Sequence, residues 1–111
     1  MRSPAGRFRH LARIERKGTP TRDAMGGEVV NWELVATVRC AIEPLRGREY
    51  IAARAESADL TTRIVLPYRP GLTVDMRVVH RGTAYDVRDL IDGRGERREL
   101  ELMCSSEAVQ S

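Results

Sequence analysis

Aromatic residues are scarce in this chain of 111 residues: Phe8, Trp32, Tyr50, Tyr68 and Tyr85 make up the whole set. A sheet that stacks RNA bases needs more of them on one face, so that class is poorly supported. Lysine is nearly absent, since Lys17 stands alone against eighteen arginines. No apolar run approaches the roughly 20 residues of a membrane span. The basic opening MRSPAGRFRHLARIERK has no apolar stretch behind it, so no secretory signal is expected. Cys40 and Cys104 are too few for a disulfide framework. What remains is one small, heavily charged domain with a modest core.

The charge is unevenly spread. Residues 1–54 carry 11 basic and 6 acidic groups, a balance of +5; residues 55–111 carry 8 and 10, a balance of −2. A dipolar chain of this kind could face DNA with its basic half, or dock head to tail with copies of itself. It could equally be a solvated surface of paired charges.

Hydrophobic periodicity predicts an all-β fold. Phe8, His10, Ala12 and Ile14 alternate, so a strand is expected over 8–16 with these four on one side. Residues 17–27 read as a loop, with Pro20 and Gly26-Gly27 as its breakers. Val30, Trp32, Leu34, Ala36, Val38, Cys40 and Ile42 then hold strict period two, which predicts one long strand, or two collinear strands with a bulge, buried on that face. Val35 and Ala41 interrupt the opposite face.

Pro44 ends that strand. The segment 45–57 breaks the alternation, and its Ala-rich part, Glu49 to Ala55, predicts one or two helical turns inserted into a β chain. Leu60, Thr62, Ile64, Leu66 and Tyr68 resume the alternation. Met76, Val78 and His80 begin a hairpin with Arg81-Gly82-Thr83 at its tip, continued by Tyr85 and Val87 to Ile91. Asp92-Gly93-Arg94-Gly95 reads as a turn. Leu100, Leu102 and Cys104 face inward on a last strand, and a polar tail, 105–111, is expected to fray. Five or six antiparallel strands are most economically closed into a small barrel, which removes exposed edges; a two-sheet sandwich is the alternative.

Catalytic and metal patterns are thin, so no enzyme, cofactor or metal is expected. His10 and His80 have no neighbouring Cys, Asp or Glu at ligand spacing. Cys40 and Cys104 sit on apolar strand faces and read as buried free thiols, with a disulfide between them left open. Asp86, Asp89 and Asp92 would scatter over both faces of a strand. Gly93 and Gly95 form no phosphate loop, because no strand–loop–helix context surrounds them. Arg46, Arg48 and Arg54, in and around the insertion, are the candidates for contact with a DNA backbone, which arginine grips as a fixed fork without reading sequence. Arg7, Arg9, Arg13 and Arg16 form a second basic cluster. Arg48 and Glu49 could instead be a surface pair.

A resemblance sharpens this. Asp23-Ala24-Met25-Gly26-Gly27, then Trp32, then Ala41-Ile42-Glu43-Pro44-Leu45 with Gly47-Arg48-Glu49, is similar to the head–tail joining proteins of tailed phages, also called head-closure or stopper proteins, which include prophage and gene transfer agent members. Arg63-Ile64, Tyr68-Arg69-Pro70-Gly71-Leu72, Met76-Arg77-Val78-Val79, Tyr85-Asp86-Val87, Ile91-Asp92 and Arg98-Glu99-Leu100-Glu101-Leu102 continue it, so that it spans about residues 6–104. The resemblance implies a small β-barrel with a projecting loop and Trp32 in its core. It implies a ring of six or twelve copies in the particle neck, assembled in the bacterial cytoplasm. That ring would sit between a portal or adaptor protein and a tail terminator or tail tube protein, holding packaged double-stranded DNA. Segment 45–57 would face the channel or a neighbour: Arg46, Arg48 and Arg54 as channel charges; Arg48, Glu49 and Tyr50 as subunit contacts. The rival readings are an Arg-rich barrel that binds nucleic acid as a monomer, and a tail-terminator-type connector.

Overall fold

A computed structural model describes residues 7–56, 60–92 and 98–108, and within these the side chains of residues 49, 53–56 and 107–108 lie outside the description. Among the described residues these elements follow in order: β1 (His10–Lys17), β2 (Thr21–Arg22), β3 (Glu28–Val29), β4 (Trp32–Pro44), α1 (Gly47–Glu56), β5 (Thr62–Pro67), β6 (Arg77–His80), β7 (Thr83–Asp92) and β8 (Glu99–Ala108). Six of them close an antiparallel barrel in the order β1-β4-β5-β8-β7-β6, and β2-β3 form a separate small hairpin. The expected all-β barrel is therefore the fold. The expected turn at residues 93–95 falls outside the described residues.

The core follows the alternation where the ladders are regular. Ala12, Ile14, Cys40, Ile64, Leu66, Val78, Val87, Leu100, Leu102 and Cys104 are buried together. Bulges decide where the alternation fails. The β1–β4 register slips between Ile14↔Ala36 and Glu15↔Leu34, so Val35 is the extra residue. One extra residue reverses the facing of everything beyond it. Val35 accordingly packs against the core, while Leu34 and Val30, expected inside, are 54% and 46% exposed. A second slip at Arg88 in β7 turns Ile91 outward in the same way.

Other departures come from packing outside the barrel. Phe8 precedes β1 and covers Ala41 and Val65 on the outer wall, burying all three. Trp32, turned outward by the Val35 bulge, is half-buried rather than central and lies under the Arg77 guanidinium, 4.1 Å from its ring centre. The last strand runs to Ala108, pairing Ser105 with Asp86 and Ala108 with Thr83, so 105–108 of the expected tail belong to the barrel.

The sequence halves remain contiguous in the barrel, β1-β4 beside β5-β8-β7-β6. Ion pairs knit the two seams between them. Arg63 Nη2 meets Glu43 Oε1 at 3.1 Å across one, and Arg77 Nη2 meets Glu15 Oε1 at 2.8 Å across the other.

Candidate functional site

The insertion between β4 and β5 is a helix set on a closed base. Pro44↔Thr62 is the last ladder pair of the two strands, and just beyond it the Leu45 amide donates to the Thr61 carbonyl at 3.0 Å. Leu45 and Leu60 are buried against one another, with Met103 alongside. That apolar clamp fixes where the insertion leaves the barrel. Gly47, at φ 55°, makes the turn into the helix, a backbone state that costs glycine little. The Tyr50 amide donates to the Arg46 carbonyl at 3.3 Å, which makes Arg46 the residue that caps the helix N-terminus.

α1 spans ten residues, longer than the one or two turns expected. Arg46 and Arg48 are exposed there. Two cations at this end oppose the helix dipole, and an arginine cap offers no acceptor to the free amides. Tyr50 is 37% and Ile51 70% exposed, so the helix also presents apolar surface. The side chains of Arg54 and Glu49 lie outside the described residues. Helical geometry places positions 48 and 54 about 120° apart around the axis, so the basic residues do not share one face.

The D-x-x-G-G motif organises the hairpin at the other end of β4. Asp23 Oδ1 accepts the amides of Met25 at 2.9 Å and Gly27 at 2.8 Å, while the Asp23 amide donates to the Gly27 carbonyl. Gly26 takes φ 84°. Asn31 ties the hairpin down, its Nδ2 donating to the Thr19 carbonyl at 3.0 Å. The tip thus holds Met25 92% exposed. With β4 about 40 Å long at a strand's rise, hairpin and helix mark opposite ends of the molecule.

Cys40 and Cys104 are free and fully buried. Burial pushes the Cys40 thiol up to about 11 and that of Cys104 to about 12, so neither is an activated nucleophile. His80 is half-buried at the edge of the hairpin, not in the core; its ring meets His10 edge-on at 4.9 Å, and its Nδ1 donates to the Leu11 carbonyl at 3.2 Å. Among the described residues no three metal-ligating side chains cluster.

Sequence reasoning missed three features here: the Asp23 hub, the Trp32–Arg77–Glu15 stack and the His10–His80 contact. The last two join residues far apart in the chain, and only ladder register brings them together.

The model of the phage head completion protein family matches residues 3–107, and the chain belongs to that family. Its role is accordingly structural, in completing the head of the particle. Among solved structures it is similar to protein SF1141 of Shigella flexneri 2a, at 26% identity and a TM-score of 0.72, covering 97% of this chain and 100% of that one. It shares its fold with a chain of the virion of a native gene transfer agent particle, at 16% identity and a TM-score of 0.60, covering 95% and 98%. Among curated proteins, none matches the chain.

Proposed function

We propose that copies of this chain form a ring of six or twelve in the particle neck, closing the head over packaged DNA and offering the tail its docking surface. Family membership across residues 3–107 is the observation that carries this reading. The gene transfer agent virion, in which a chain of the same fold occurs, is consistent with it. One face of the ring meets a portal or adaptor protein, the other a tail terminator or tail tube protein, and assembly takes place in the bacterial cytoplasm.

In this reading α1 turns toward the channel or a neighbouring copy. Arg46, Arg48 and Arg54 supply positive charge to double-stranded DNA without reading its sequence. Arg48, Glu49 and Tyr50 contribute to the contact between copies. Apolar residues left exposed at both ends, Met25 and Val29 on the hairpin and Ile51 on the helix, suit a chain that is covered on assembly. A ring repeats each weak contact, and the repeats give avidity that a monomer lacks.

The test replaces Arg46, Arg48 and Arg54 together with Ala in a producing strain. Expected are particles that leak DNA or fail to join tails, from a protein whose circular dichroism is unchanged. Normal particles would remove these residues from the mechanism. Tight, salt-sensitive DNA binding by the isolated monomer would favour the adaptor reading instead.

A further inference from the structure

The ladder between β1 and β6 covers only Arg13↔Val79, Ile14↔Val78 and Glu15↔Arg77. Beyond Arg13↔Val79 the strands part, and a cleft of about 400 Å³ opens, with His10 and His80 in its lining. Strand alternation puts His10 on the face of Ala12 and Ile14, and His80 on that of Val78, so both rings gather at one end of the barrel interior. Their centres stand 4.9 Å apart with planes crossed at 71°. Both are half-buried, and the cleft leaves them open to small solutes. The His80 Nδ1 lies 3.2 Å from the Leu11 carbonyl. A carbonyl only accepts, so Nδ1 carries the proton, and the neutral ring keeps its lone pair on Nε2.

We infer that His10 and His80 bind a divalent transition ion of zinc's class between β1 and β6. Imidazole nitrogen suits such ions, whereas hard cations take oxygen. Two such nitrogens on one tetrahedral ion, each at about 2.0–2.1 Å, put their ring centres about 5 Å apart, which is the spacing present. A metal-binding histidine gives its other N–H to a carbonyl or carboxylate, as His80 does to Leu11, and that bond fixes both the tautomer and the ring. Among the described residues no hydrogen bond holds the His10 ring, so it can turn about its own side-chain bonds to aim a nitrogen at the same point. Water completes the coordination, because no third described side chain joins the pair. Of the arginines lining the cleft, Arg13 is paired with Glu15 at 3.3 Å and Arg9 has a partner of its own. Arg81 is exposed at the rim, where solvent screens its charge, so it weakens cation binding without blocking it. The bound ion ties β1 to β6 past the end of their ladder and so locks the seam. The inference stands apart from the ring proposal.

The test titrates the intact chain with zinc chloride by calorimetry in a non-coordinating buffer, with hydrogen exchange read alongside. Saturable one-to-one binding is expected, with slower exchange of the amides over 13–15 and 77–79. His10→Gln and His80→Gln should each weaken binding at least about tenfold, with circular dichroism unchanged. Arg81→Asn removes the rim charge and suits the positive φ of 48° at that position. It should tighten binding about twofold to threefold. Lys17→Gln, at the far end of β1, should change it little, and magnesium should not compete. Absence of saturable binding up to about 1 mM zinc would overturn the inference. So would a zinc affinity that either histidine variant leaves intact, displacement of zinc by magnesium, or an Arg81→Asn variant that binds no tighter than Lys17→Gln.

Discussion

Glu15 and Arg77 face each other across the shortest seam of the barrel, so changing Glu15 to Gln tests whether that seam depends on them. Arg77 Nε and Nη2 both donate to Glu15 Oε1, at 2.9 and 2.8 Å, and Arg13 Nη2 sits 3.3 Å from Oε2. The Glu15 side chain is 10% exposed and that of Arg77 20%, so solvent screens the pair less than a surface one. A hydrogen bond to a charged partner contributes about 1.5–3 kcal/mol when one side is removed, against about 0–1 for an exposed ion pair. Glutamine keeps one acceptor, which places the expected loss near 2 kcal/mol. At a slope of about 1.5 kcal/mol per molar urea, the unfolding midpoint should fall by about 1 M. Arg77→Met removes the other partner, and a double-mutant cycle should return a coupling above about 1 kcal/mol. Amides over 13–15 and 77–79 should lose hydrogen-exchange protection before those of β5 and β8. A coupling below about 0.5 kcal/mol with unchanged exchange at the seam would refute the reasoning, and the pair would rank with ordinary surface ion pairs.

The buried thiols give the protein an alkaline limit. Their folded pKa values lie above the unfolded one, so the native state keeps protons that the unfolded state releases above about pH 9, and stability falls as pH rises through that point. The slope is about 1.4 kcal/mol per pH unit for each thiol, ending near pH 11 for Cys40 and 12 for Cys104, and Cys40→Ala should flatten it in urea titrations above pH 9. Phe8→Ala should cost about 2–3 kcal/mol by uncovering Ala41 and Val65; a midpoint unchanged in urea would mean that the N-terminal segment does not cap the wall. Arg46→Ser supplies the missing cap and removes a cation from the helix N-terminus, and should stabilise α1 by about 1 kcal/mol, read as slower exchange of its amides.

Much of the barrel was legible along the chain because alternation survives wherever ladders are regular. Leu100, Leu102 and Cys104 are inward as their spacing predicts, and Ile64 and Leu66 likewise. The β4 stripe was legible only from Ala36 to Ile42. Before Val35 the pattern of alternating residues is the same on paper but the facing is reversed, since nothing in residue type marks which position a partner strand will skip. Trp32 lies on the reversed side of the same bulge. The stripe and the resemblance put it in the core, but on the outer wall Arg77 covers it, and a cation over an indole face is a partner that composition cannot foresee. The site was legible as a segment: Pro44 and the alanines of 45–57 mark an insertion. Its directions were not, since the roles of Arg46, Arg48, Arg54, Glu49 and Tyr50 depend on what α1 meets.

By itself the sequence determined the class of fold, its single insertion and its family, because these rest on local quantities: period-two alternation, breakers at Pro44 and Gly26-Gly27, and short motifs at set spacing. Only the tertiary structure decided which residues meet. Closing six strands into a ring places His10 beside His80, Arg39 opposite Leu11 and Glu15 opposite Arg77. Register across a ladder is a property of two segments at once, and it depends on where each bulge falls. The scarce aromatics follow the same division. Their number argued against a stacking platform, whereas their places, Phe8 as an outer cap and Trp32 beneath an arginine, came from neighbours distant in the chain.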